Sequence, residues 1–307
     1  MRIGIAGLAT SHPYTDARGL RQHAQLVVWE PDAGRLARFR EEHPDAVPVA
    51  DLDALLRADP DGVVLTVPTP EVPGALARIL DRDLACFVNK PAAASRAQLS
   101  ALRPVVARAP HRVLSSSVLR FAPSFAALAD TAVDRADLLA ARVTVRHDVG
   151  LWATGYNPWQ DDPASGGGTI VSMGIHGVEL LVALLGPAMR VVGATASIRR
   201  YGALRSEDTA LVVLRWDDGL VATVEVLGVT AEESYEVILH ATDGDRGTLL
   251  RGGPGSETAL GYRATIEAFL SMVDGAPSPV PWEQTEAVLG VLADARAATD
   301  PGRRERA

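Results

Sequence analysis

The strongest constraint on the fold is a change of rhythm partway along the chain. From residue 1 to about 117, short β-branched runs alternate with longer Ala-, Leu- and Arg-rich segments, the pattern of βαβ units around a parallel sheet. Strands are expected at Arg2–Ala6, Gln25–Trp29, Gly62–Val67, Leu84–Val88 and Arg112–Ser116. Helices are expected between them at His12–Gln22, Asp32–Glu42, Glu71–Asp81 and Ser95–Arg108, several opened by Pro, Asp or Ser. After Phe121-Ala122-Pro123 the strands follow one another: Leu138–Arg146, Arg190–Arg199, Thr209–Trp216, Leu220–Leu227 and Tyr235–His240. Consecutive strands predict an antiparallel or mixed sheet. The chain is therefore read as α/β with two domains. Residues 1–120 form a Rossmann-type, doubly wound parallel sheet, and residues 121–307 form an α+β domain on a predominantly antiparallel open sheet. A length of 307 residues allows two cores.

Asp217-Asp218-Gly219 joins two of the later strands and has the composition of a hairpin turn with Gly in a left-handed conformation. Both faces of this hairpin carry apolar residues, as in Leu211 to Trp216, whereas a half-solvated sheet alternates more cleanly. One face is expected under a helix spanning about Ile170–Leu185. The other is expected against a second subunit, giving a homodimer or homotetramer through the C-terminal sheet. Helices at about Tyr262–Val273 and Trp282–Thr299 close the fold, and Arg303-Arg304-Glu305-Arg306 reads as a frayed end.

A net charge of -8 disfavours nucleic acid and anionic membrane surfaces as partners. A single cysteine, Cys86, permits no intramolecular disulfide and fits a reducing cytoplasm. Neither a signal peptide nor a stretch long and apolar enough to span a bilayer is read in the sequence.

The opening segment, Gly4-Ile5-Ala6-Gly7-Leu8-Ala9-Thr10-Ser11-His12, runs a strand into a helix through a tight turn of small residues. That is dinucleotide-binding geometry, although Ala9 and His12 stand where the second and third glycines of the fingerprint normally fall. Glu30, 23 residues beyond Gly7, closes the second strand, where a carboxylate accepts ribose hydroxyls and repels a 2′-phosphate. The cofactor expected is NAD(P), with NAD favoured over NADP.

This N-terminus, together with three later segments, resembles the Gfo/Idh/MocA family of oxidoreductases, named for glucose-fructose oxidoreductase and inositol dehydrogenase. Val67-Pro68-Thr69-Pro70 is similar to the family's Thr-Pro turn beside the nicotinamide half of the cofactor. Val88-Asn89-Lys90-Pro91 resembles its Glu-Lys-Pro motif, with Asn89 in place of the Glu. Leu119-Arg120-Phe121-Ala122-Pro123 resembles the Arg-Phe-x-Pro passage into the second domain. Gly166-Gly167-Gly168, leading into Ser172-Met173-Gly174-Ile175-His176, resembles a Gly-rich turn before Asp-x-Gly-x-His, with Ser172 in place of the Asp. The resemblance implies that Lys90 and His176 are catalytic. It implies cofactor contacts from Gly7, Leu8, Ala9, Thr10, Ser11, His12, Glu30, Thr66, Pro68, Thr69, Asn89 and Lys90, and substrate contacts from Arg120, Ser172 and His176.

The residues themselves fit that chemistry. Hydride transfer from an alcohol needs a base for the hydroxyl proton and a positive group for the developing alkoxide. His176 and Lys90 can supply them. His176 and Glu179 are only two candidate ligands, so no metal is expected. The stretch from His147 to Asp162 holds two of the five Trp among polar groups, so Trp152, Tyr156 and Trp159 are expected either to hold a sugar, cyclitol or related polyol or to anchor a surface loop as buried aromatics. Ser115-Ser116-Ser117 lacks a nucleophile-elbow pattern and reads as polar strand-end residues lining the crevice, and Cys86 reads as core. Three functions stay open: an NAD(P)-dependent dehydrogenase or reductase acting on CH–OH groups; a redox-neutral enzyme using bound NAD for elimination, epimerisation or glycosidic cleavage; and a non-catalytic NAD-binding regulator.

Overall fold

The structure, a computed structural model, describes residues 1–131, 133–253 and 255–299. The expected frayed end lies outside them. The first half is built from β1 (Arg2–Ala6), α1 (His12–Leu20), β2 (Gln25–Trp29), α2 (Ala33–Glu42), β3 (Val47–Pro48), α3 (Leu52–Arg57), β4 (Gly62–Leu65), α4 (Val72–Leu80), β5 (Ala85–Val88), α5 (Arg96–Val106) and β6 (Val113–Leu114). Its six strands are all parallel, in the order β3-β2-β1-β4-β5-β6. That is the doubly wound arrangement read from the sequence, with its reversal of direction between β1 and β4. The Asp32 and Ser95 side chains accept backbone N–H groups of Arg35 and Gln98, which fixes where α2 and α5 begin.

The second half contains α6 (Pro123–Ala129), β7 (Leu138–Asp148), α7 (Pro158–Asp161), α8 (Gly168–Ser172), α9 (Gly174–Leu185), β8 (Met189–Ser197), β9 (Thr209–Trp216), β10 (Val221–Leu227), β11 (Val229–Ala241), β12 (Gly244–Arg251), α10 (Ser256–Ala259), α11 (Tyr262–Val273) and α12 (Trp282–Ala298). Its sheet runs β12-β11-β7-β10-β9-β8 and is antiparallel except for the β7–β10 pair. The β9–β10 hairpin turns through Gly219 at φ +94, as its composition predicted.

One face of this sheet is buried. Val212, Leu214, Ala222, Val224 and Val226 are all 4 % exposed or less, on strands covered by α8 and α9. The opposite face is mixed: Leu211, Val221 and Leu249 are exposed, among Arg142, Glu236, Glu225 and Thr144. The expected single helix over Ile170–Leu185 is two, broken at Met173. Contrary to the sequence reading, Gly168–Leu185 does have the length and apolarity of a membrane span. Of those residues 83% are buried, because they form the core helices of this domain.

Two elements tie the halves together. Ile266, Phe269 and Met272 of α11 return to the first sheet and share a core with Ile3, Ile5, Val64 and Phe87. Meanwhile α12 packs on α9 and β8 and is ion-paired to α5 through Arg96–Asp294 and Arg103–Glu286. The cleft between the sheets is thus closed on two sides by chain that crosses it.

Candidate active site

At the carboxyl end of β1 the chain turns at Gly7, with φ +87. A Cβ there would lie 2.4 Å from the Thr66 carbonyl oxygen, so only glycine fits. Gly7 N–H donates to Trp29 O, Leu8 N–H to Glu30 Oε2 (2.6 Å) and Ala9 N–H to Thr66 O. These bonds fix the turn against the ends of β2 and β4 and leave the approach to α1 facing the cleft. Glu30 is buried, and its other oxygen accepts Asp32 N–H at 2.9 Å and lies 3.6 Å from Arg35 Nη1. A turn that admits no Cβ, beside a buried carboxylate at the end of the second strand, is the arrangement of a dinucleotide-binding strand–turn–helix.

Thr10, Ser11 and His12 line a cavity with Lys90 and His176. Its other walls come from Trp152, Tyr156, Gln160 and Met173 of the second domain, from Glu233 and Tyr235 of β11, and from Tyr262 of α11. The cavity, about 160 Å³, is smaller than the roughly 300–1,000 Å³ of drug-sized sites and suits a single small ring.

Lys90 is the only lysine of the chain; every other Lys or Arg position, 29 in all, is arginine. It is 6% exposed, donates to the Ser172 carbonyl oxygen at 2.9 Å, and is pushed down to about 8 by burial, with Glu233 acting the other way. His176 Nδ1 lies 2.6 Å from Ser117 Oγ, which orients the ring and leaves Nε2 for the cavity. Burial holds His176 well below its usual range, and the positive charge of Lys90 adds to this. The Ser172 hydroxyl points away, at Gly166 O 3.4 Å distant.

The structure sorts the remaining sequence-derived residues. Trp152 and Tyr156 face the cavity. Trp159 instead donates its indole N–H to Ala9 O at 2.9 Å, on the dinucleotide turn. Arg120 is turned away from the cavity: it is paired with buried Glu179 at 3.0 Å and with Gln284. Ser172 is fully buried and offers the site its carbonyl, not its hydroxyl. Asn89 spends its amide on Asp16 (3.0 Å) and Thr66 (2.7 Å), and the Thr69 hydroxyl is bonded to Ser165 O. These last three brace the strand ends from behind, and Pro68 lies beside them half-buried. The serine run is not lined up along the crevice either: Ser116 donates to Glu179, and Ser117 holds His176. Cys86 is core, and burial pushes its thiol up.

Sequence reasoning missed Glu233, Tyr235 and Tyr262 as cavity residues. Their local sequence carries no motif, and they arrive through strand pairing and the return of α11. The isolation of Lys90 among arginines was a signal in plain sight.

A Rossmann sheet, a second domain on an open sheet and a lysine–histidine pair in the cleft between them define a two-domain, dinucleotide-fold protein. Residues 136–246 match the model of the GFO/IDH/MocA C-terminal domain, the family that the sequence motifs resemble. Solved structures share the fold over nearly the whole length. GenD2 from gentamicin A biosynthesis, in complex with NAD, has a TM-score of 0.82 at 21% identity, covering 99% of this chain and 95% of that one. A myo-inositol dehydrogenase from Corynebacterium glutamicum has 0.78 at 18%, covering 98% and 97%. Scyllo-inositol dehydrogenase from Lactobacillus casei, with NAD(H) and scyllo-inositol, has 0.82 at 16%, covering 97% and 96%. A comparison with curated proteins found no match.

Proposed function

We propose that the protein is an NAD-dependent oxidoreductase that moves a hydride between nicotinamide and a hydroxyl or keto carbon of a sugar, cyclitol or related polyol. One observation carries the reading: the chain's only lysine and a neutral, oriented histidine line the same small cavity as the dinucleotide turn. The NAD-bound and inositol-dehydrogenase structures of the same fold support it. Gly7, Thr10, Ser11 and Glu30 would hold NAD, which supplies the hydride acceptor when bound.

The chain's own residues do the rest. With Nδ1–H donated to Ser117 Oγ, the His176 Nε2 lone pair is free to take the hydroxyl proton, and burial keeps the ring neutral for that task. Lys90, anchored on the Ser172 carbonyl, places an ammonium where an alkoxide develops. The start of α9, two residues before His176, adds the positive end of a helix. Trp152 and Tyr156 offer apolar rings with polar edges to a hydroxylated ligand.

The test is a panel of sugars and cyclitols with NAD, followed by the absorbance of reduced nicotinamide. On any substrate found, H176A should lower kcat by about 10²–10⁴, and K90M should lose turnover while still binding NAD. Wild-type activity should decline on the alkaline side near pH 8, as Lys90 loses its proton. Wild-type rates from both folded variants would remove the proposed roles.

A further inference from the structure

Two positions at which the Gfo/Idh/MocA motifs carry an acid hold Asn89 and Ser172 here, so the cavity's positive group has no motif carboxylate beside it. Among the described residues lining the cavity, the titratable groups around Lys90 are three histidines (His12, His147 and His176), three phenols (Tyr156, Tyr235 and Tyr262) and two carboxylates (Asp148 and Glu233). Of the carboxylates, Asp148 is committed elsewhere, accepting Gly150 N–H at 2.8 Å and the Tyr201 hydroxyl at 2.5 Å. Asp16, on the far side of Asn89, is raised to about 7 by burial and carries little charge below that pH. Glu233 remains.

Three features place it. The pairing of β11 with β7 breaks between Val229 and Ser234, so five steps on β11 span two on β7, and this bulge turns Glu233 toward the cavity. The Tyr235 hydroxyl then donates to Glu233 Oε1 at 2.7 Å. Gly252, on the neighbouring β12 side, leaves the space the carboxyl occupies: a Cβ there would lie 2.6 Å from Glu233 Oε2.

We propose that Glu233 is the acidic partner of this site, a positioning residue held by Tyr235 and given room by Gly252, whose carboxylate faces Lys90 in place of the acids absent at positions 89 and 172. It acts through Lys90. A buried amine drifts toward its neutral form, which stabilises no alkoxide, and an opposed carboxylate counters that drift. The proposal rests on the reading of the cavity as the active site, yet its test needs no substrate.

Because the chain has one lysine, protein grown on isotopically labelled lysine gives a single side-chain signal in NMR, whose titration belongs to Lys90 alone. The wild-type midpoint is expected near pH 8. Glu233→Gln, which keeps an oxygen for Tyr235, should move it to lower pH by roughly one unit or more. Gly252→Ala should move it the same way by less, and Asp148→Asn should leave it in place. An unchanged midpoint in folded Glu233→Gln protein, or an equal shift in Asp148→Asn, overturns the proposal. Failure of NAD to bind the wild-type protein would instead count against the oxidoreductase reading and leave this titration as it stands.

Discussion

Asp16 shows how much of this site is decided by single side chains behind it. It sits on α1, 1% exposed, accepting from Asn89 and ion-paired to no cation among the described residues, and burial raises it from 3.8 to about 7 against the opposing pull of Asn89 and Arg18. The folded state thus keeps a proton that the unfolded state releases above pH 4. Between those values stability falls as pH rises, and above 7 the full cost of a buried charge is present. D16N should therefore unfold at the same temperature as wild type near pH 4 and be more stable at pH 8, by roughly 2–4 kcal/mol. Thermal unfolding at the two pH values checks this; a D16N protein no more stable at pH 8 would show that the carboxylate has a partner. The importance of Lys90 and His176 was legible in the sequence, because their types and their neighbours spell out a chemistry. The pairing of Arg120 and the burial of Ser172 were not. Arg120 meets Glu179 59 residues away, and no local pattern distinguishes an arginine aimed at substrate from one aimed at a buried acid.

At the scale of elements, the segment from Gly150 to Gly168 crosses from the second domain onto the first. Trp159 bonds the dinucleotide turn, Ser165 O accepts from Thr69, and Ala164 O accepts from Gln98 at 3.2 Å. Of the three glycines, Gly166 serves the segment itself, where a Cβ would lie 2.4 Å from Trp159 O, whereas a Cβ on Gly168 would lie 2.6 Å from Ser206 Cβ, just ahead of β9. If Trp159 braces the turn and not the substrate, W159F should weaken NAD about fivefold, the worth of one hydrogen bond of roughly 1 kcal/mol, and leave the substrate KM unchanged. Calorimetry and steady-state kinetics separate the two; a raised KM with unaltered NAD affinity would return Trp159 to the substrate. Elements with strong periodicity, such as β1, β2 and β9, fall where the pattern puts them. Those missed have physical reasons: β3 is two residues ending in Pro, and β12 opens on Gly-Asp-Arg-Gly, a turn composition that pairing with β11 overrides. The break at Met173 escaped because apolar residues continue through it.

For the whole molecule, the α11 return and the α12 bridge make the two sheets one packed unit around the cleft, and the uncovered face of the second sheet is what remains for other molecules. Leu211, Val221 and Leu249, each 37–40 % exposed on that six-stranded surface, support a homodimer or homotetramer formed through it. Light scattering should give twice or four times 32.4 kDa at micromolar concentration. L211R, placing charge on that face one strand in from its β8 edge, should shift the mass to the monomer; a monomeric wild type would withdraw the proposal. The single lysine gives the cleft a direct probe. When NAD is titrated into protein carrying labelled lysine, the Lys90 resonance should move saturably, and at lower concentration with NAD than with NADP, because Glu30 is placed to repel a 2′-phosphate. A resonance that neither dinucleotide moves would contradict the account.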